Sequence, residues 1–153
     1  GFWGSDRCQC MPHVVEKYRR KISGPIADRI DMWITVPEIP PEMLSIKAKR
    51  SLGETKAARE RIASARDTQS KRFSSARTLT TNADMRAKDI ETYANLTDNA
   101  EQTLVEAARR MKLSPRGYHR TIKLARTIAD LAGDDSIEPS HMLEALQYRQ
   151  REF

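Results

Sequence analysis

Apolar residues recur every three or four positions through most of the chain after residue 54, the spacing that places them on one face of an α-helix. From Asp98 to Lys112 the stripe is Leu104, Ala108 and Met111, and Asp98 with Glu101 three residues on reads as a capping pair. Ser114-Pro115 puts a hydroxyl at the N-cap and a proline at the first helical position. That helix is predicted to run through Tyr118, Ile122, Ala125 and Ile128 and to stop at Gly133, a residue suited to the left-handed conformation. Pro139 opens a last helix with Met142, Leu143 and Leu146 inward, and residues 85–93 form a shorter one. Residues 54–77 place Ala58, Ile62, Ala65, Gln69 and Phe73 on one stripe interleaved with charge.

The first 36 residues follow a different pattern. Pro12 to Lys21 is predicted helical, and Pro25 to Arg29 gives a turn or two entered at proline. Residues 31–36 alternate Met32, Ile34 and Val36 with Trp33 and Thr35, a period of two that predicts a strand. Three prolines within residues 37–41 exclude regular helix or central strand there. The chain is therefore expected to divide into a strand-bearing stub (1–36), a proline-rich connection (37–53) and a unit of four to five antiparallel helices (54–153). The fold class is mainly α.

Composition narrows the classes of function. The chain has 153 residues, 39% hydrophobic and 31% charged, enough apolar material for one modest core. No stretch approaches the ~20 apolar residues of a membrane helix. The only cysteines, Cys8 and Cys10, have one residue between them, a spacing that rarely allows a sound disulfide. A membrane-spanning protein and a secreted disulfide scaffold are thus excluded, and a cytoplasmic protein is expected. The net charge of +6 points to an anionic partner.

The charge is unevenly placed. Residues 109–126 carry Arg109, Arg110, Lys112, Arg116, Arg120, Lys123 and Arg126 with no acid. Such a run beside a helix N-terminus suits phosphate, and it also suits an ordinary solvated helix face. Residues 54–77 are basic too, but no aromatic residues interleave to stack on bases. Cys8, Cys10 and His13 supply three of the four donors a zinc site takes; two free thiols in a loop is the competing reading. Arg29 sits between a proline-started turn and the predicted strand, flanked by Asp28 and Asp31, and Arg116 lies in the first turn of a well-capped helix. Each alone reads most simply as a structural ion-pair residue. No Gly-x-x-x-x-Gly-Lys-Ser/Thr loop occurs, so the chain by itself does not hold a nucleoside triphosphate in the P-loop manner.

Two long words carry a family resemblance. The run from Gly1 to Asp31, GFWGSDRCQC followed by YRRKISGPIADRID, resembles the bacterial magnesium chelatase-like AAA+ ATPases of the ComM (YifB) type, and so does SPRGYHRTIKLARTIADLAGDDSIEPSHMLEALQYR at residues 114–149. The resemblance implies a C-terminal portion: the tail of an AAA+ α/β core with one strand and short helices, followed by a helical lid. The P-loop and the acidic Mg²⁺-binding motif would precede Gly1, as would a Cys-Pro-Cys-Gly word whose last glycine Gly1 matches. Its two cysteines would join Cys8 and Cys10 in a four-cysteine zinc site. Arg29 matches the arginine that reaches, in trans, the γ-phosphate of ATP on a neighbouring subunit. Arg116 matches the lid arginine called sensor 2, which contacts nucleotide phosphate. The implied whole protein is a hexameric, ATP- and Mg²⁺-dependent DNA motor for branch migration in recombination and natural transformation. A chelatase-type remodelling subunit and a small basic nucleic-acid-binding module are the alternatives.

Overall fold

The computed structural model describes residues 9–22, 24–37, 39–40 and 54–149. Among these, α1 spans Pro12–Arg19, α2 Gly24–Ala27, α3 Glu54–Arg72, α4 Ala87–Tyr93, α5 Asp98–Met111, α6 Pro115–Ala132 and α7 Pro139–Gln147, with a 3₁₀ turn at Asn82–Asp84. The mainly-α expectation holds. The connection expected over 37–53 falls mostly on residues outside those described.

α6 is the central helix. It packs against α3, α4, α7 and the 3₁₀ turn, and α5 packs on α7. Its N-cap is Ser114, whose Oγ accepts the Gly117 N–H at 3.0 Å. It ends at Gly133 with φ of 87°, where the N–H groups of Gly133 and Asp134 both reach the Ala129 carbonyl at 2.9 Å. The core joins Phe73, Leu79, Met85, Ile90, Leu104, Ile122, Ile137 and Met142 with small residues Ala100, Ala125, Ala129 and Ala145, whose short side chains let the helices pack closely. Burying each large apolar side chain contributes about 1.5–3 kcal/mol.

A polar cluster is built into this core. Asp130 accepts from Arg72 Nη1 and Nη2 at 2.9 and 2.5 Å, from Asn82 Nδ2 at 2.7 Å and from Arg126 Nε at 3.1 Å. Burial pushes the Asp130 pKa up, but the hydrogen bonds and charges of its donors outweigh this and hold it below the ordinary value. Arg126, wholly buried, also donates to the carbonyls of Ala94, Asp134 and Asp135, pinning the loops before α5 and α7. Next to it, Leu96 and Ile137 join those loops in an isolated parallel bridge: the Ile137 N–H donates to the Asn95 carbonyl, and Thr97 N–H and Oγ both donate to the Ile137 carbonyl.

Several expectations are corrected. Residues 32–37 form no ladder; no strand occurs among the described residues, and the Trp33 N–H bonds instead to the Tyr148 carbonyl at 2.8 Å. Alternation makes a segment suitable for a strand, and a strand exists only with a neighbour to pair with. The N-cap of α5 is Thr97, not Asp98, because the Thr97 hydroxyl serves both Ala100 N–H and Ile137. α3 ends at Arg72 rather than residue 77; Arg61 Nη2 donates to the Leu131 carbonyl of α6 at 3.4 Å, yet Ala58 and Ile62 on the predicted stripe are exposed while Ala65 and Gln69 are buried. Leu143 faces outward, 54% exposed, while Met142 and Leu146 on the same helix are buried.

Candidate functional site

The segment carrying Arg29 is fastened to α6, which carries Arg116, and to the residues after α7. Pro25 sits in the four-residue helix α2, after which the amides of Asp28, Arg29 and Ile30 bond back to the carbonyls of Gly24, Ile26 and Ala27. So short a helix has little stability of its own. What fixes it is a set of contacts from α6 and from the residues following α7.

Ser114 Oγ, while capping α6, donates to Asp28 Oδ2 at 2.7 Å. Arg149 places Nη2 3.7 Å from Asp28 Oδ1 and donates from Nη1 to the Ile30 carbonyl at 3.2 Å. Arg120 Nη1 donates to the Arg29 carbonyl at 2.5 Å and pairs with the Asp31 carboxylate. Thus both carboxylates flanking Arg29, and the carbonyls of Arg29 and Ile30, are held by three side chains from the helical unit. Arg149 is only 6% exposed, and its Nε has no hydrogen-bond partner among the described residues. Burial lowers its pKa and the Asp28 charge opposes the shift, so it remains a cation. Gly117 makes room for it: a Cβ there would lie 3.1 Å from Arg149 Nη2.

The two predicted arginines border this contact. Arg29 is exposed, with one donor, Nη1, on the Pro25 carbonyl at 2.9 Å. Arg116, in the first turn of α6, is exposed and has no hydrogen bond or ion pair to the described residues. It lies two residues beyond Ser114, which grips the residue preceding Arg29. The two guanidiniums therefore stand on backbone segments joined by one hydrogen bond.

The basic run 109–126 is not one surface. Arg126 is buried in the core cluster, Arg120 is engaged with residues 29 and 31, and Lys123 Nζ donates to the Ala83 carbonyl at 2.8 Å. Burial, helped by the charge of Arg120, lowers the Lys123 pKa. Arg109, Arg110, Lys112 and Arg116 remain exposed. The sequence carried one signal for Arg126: it falls four residues after Ile122 and four before Asp130, on the buried side of α6. Arg120 and Arg149 carried none, since their partners lie 89 to 121 positions away in the chain.

Of the proposed zinc donors, Cys8 lies outside the described residues, while Cys10 and His13 are exposed. Among the described residues no three His, Cys, Asp or Glu side chains converge as metal donors, so zinc gains no support. No helix among them is long and apolar enough to cross a membrane.

Residues 53–149 match the family model described as magnesium chelatase, subunit ChlI C-terminal, and residues 2–44 match that of magnesium chelatase, subunit ChlI. The chain belongs to the magnesium chelatase ChlI C-terminal family. It is 38% identical over 150 residues to competence protein ComM of Haemophilus influenzae, an alignment covering 97% of this chain and 28% of that protein. It is 31% identical over 150 residues, with the same coverage, to the uncharacterized protein YifB of Salmonella typhimurium. An uncharacterized protein of Mycobacterium bovis is 30% identical over 143 residues, 94% of this chain and 28% of that protein. The chain thus spans little more than a quarter of these relatives, and family membership makes it a C-terminal region of the AAA+ class.

Proposed function

We propose that this chain is the C-terminal part of an ATP-driven AAA+ DNA motor, in which Arg29 is the finger presented to a neighbouring subunit's nucleotide and Arg116 is the lid sensor. Residues 1–36 close the α/β core in this reading, 37–53 connect, and 54–153 form the lid. The observation that carries it is the junction: the Asp28-Arg29-Ile30-Asp31 word is fastened to the start of α6, while the guanidiniums of Arg29 and Arg116 both stay exposed.

Phosphoryl transfer asks for this chemistry. The arginine fork stays charged, binds two oxygens at once and neutralises charge that develops on the transferring phosphoryl group. In the first turn of α6, Pro115 has no N–H and Ser114 Oγ takes that of Gly117, so the Arg116 N–H is the one left to face an anion. The Mg²⁺ that accompanies ATP would neutralise charge on the phosphates; these residues would add the guanidiniums. A homo-hexameric ring supplies the neighbour that a finger in trans requires. The exposed apolar run Met32, Ile34 and Val36 is the edge that the rest of an α/β core would cover. DNA as the substrate is favoured by the name of the competence relative and by the charge of +6.

Arg29→Ala in the complete protein should abolish ATP turnover and spare nucleotide binding, because the finger acts on the transition state. Arg116→Ala should weaken nucleotide binding or its coupling to turnover; unchanged binding and turnover would remove the sensor role. The family description favours a second reading, a chelatase-type remodelling subunit using the same two arginines. Stimulation of ATPase activity by branched DNA separates them: the motor responds and the remodeller does not.

A further inference from the structure

We propose that Asp28, Asp31, Ser114, Arg120 and Arg149 form a clasp that positions Arg29 and locks it in register with Arg116, so that finger and sensor move as one unit. The inference rests on the reading of Arg29 and Arg116 above and deepens it by naming what holds them.

The geometry is more specific than stability alone requires. Four consecutive residues, 28 to 31, take five contacts from three side chains of the helical unit. The Trp33 N–H adds a backbone tie to Tyr148. None of these contacts involves the Arg29 guanidinium, and all of them constrain its backbone. Arg149 is buried with its Nε unpartnered among the described residues, an arrangement that costs stability. At 3.7 Å and with the Asp28 side chain 35% exposed, the Arg149–Asp28 pair adds little stability, and its effect is to hold Asp28 in place. Gly117 keeps the first turn of α6 open so that Arg149 lies against it, and Ser114 is shared between the α6 cap and Asp28. Any rotation of α6 that moves Arg116 therefore carries the backbone of Arg29 with it.

The same contacts separate a positioning role from a structural one. Ser114→Asp retains a cap for α6, since a carboxylate accepts the Gly117 N–H, but sets like charge against Asp28. Ser114→Thr keeps both the cap and the hydroxyl. Arg120→Gln removes the Asp31 pair at a partly exposed site and leaves the core untouched.

The test uses the complete protein, with steady-state ATPase kinetics and amide hydrogen exchange followed by mass spectrometry. Ser114→Asp and Arg120→Gln should accelerate exchange over residues 24–33 while leaving α5 protected. They should lower kcat at least about tenfold with KM for ATP within about twofold, as misplacement of a reacting group does. Ser114→Thr should behave as wild type. Full kcat in Ser114→Asp and Arg120→Gln, or unchanged exchange over 24–33, would overturn the clasp even if Arg29→Ala is inactive. If Arg29→Ala itself turns over ATP normally, the finger reading fails and the clasp's catalytic role fails with it.

Discussion

Replacing Asp130 with asparagine tests the core that carries the site. Asp130 is 4% exposed and receives four hydrogen bonds, two from Arg72 and one each from Asn82 and the wholly buried Arg126. Asparagine keeps the size, removes the charge and turns an NH₂ group toward donors that need an acceptor. Two guanidiniums, one of them without solvent, lose their counter-ion. Breaking a buried ion pair from one side costs about 3–5 kcal/mol, a large share of the roughly 5–15 kcal/mol that holds a domain folded. Urea denaturation of the 153-residue chain, followed by helical circular dichroism, should show the midpoint falling by about 1–3 M at pH 7. The pH dependence has a fixed sign. Because the folded Asp130 pKa lies below its ordinary value, its contribution is present above the unfolded carboxylate value of about 3.9 and is lost as pH falls through the folded value. The gap between wild type and Asp130→Asn should hold from pH 7 to 5 and shrink below pH 4. A loss under about 1 kcal/mol at pH 7, or a gap that widens in acid, would refute the reasoning.

Other substitutions probe the ends of the helices. Ser114→Ala removes the α6 cap and the Asp28 anchor together and should cost about 1–2 kcal/mol in the same urea experiment. Gly117→Ala should fail to deliver the roughly 1 kcal/mol that alanine ordinarily gains over glycine in a helix, because Arg149 is held at Asp28 and Ile30 and cannot withdraw; thermal melting checks the sign. Gly133→Ala should lose about 1 kcal/mol at a φ of 87°, and Lys112→Gly, at a φ of 49° closing α5, should gain a comparable amount.

The helices of 98–149 were legible because their signals are local: Ser114-Pro115, Gly133 and Pro139 each act within one turn of the chain. The errors share one cause, which is that a distant contact decided the outcome. Thr97 prevailed over Asp98 as the α5 cap through its bond to Ile137, forty residues away. Residues 32–37 had the alternation of a strand, but among the described residues they join no ladder, and the Trp33 N–H goes to Tyr148. Ile62 had a helical stripe to sit on and stays exposed, although α3 already meets α6 at Arg61. At the site, sequence singled out Arg29 and Arg116 and noticed the carboxylates beside Arg29. It did not reveal what those carboxylates bind, since an arginine at position 120 or 149 looks like any other surface base until the fold brings it to Asp31 or Asp28. Arg126 shows the converse: counted with a basic surface, it is the most deeply buried charge described.

In the proposed motor, Arg29 completes a site on a neighbouring subunit. The direct measurement is ATPase activity of the complete protein as Arg29→Ala subunits are titrated into wild type at constant total concentration. Activity should fall more steeply than the wild-type fraction, because each variant subunit silences a site that is otherwise intact. Activity falling only in proportion to dilution, or not falling, would contradict that role of Arg29.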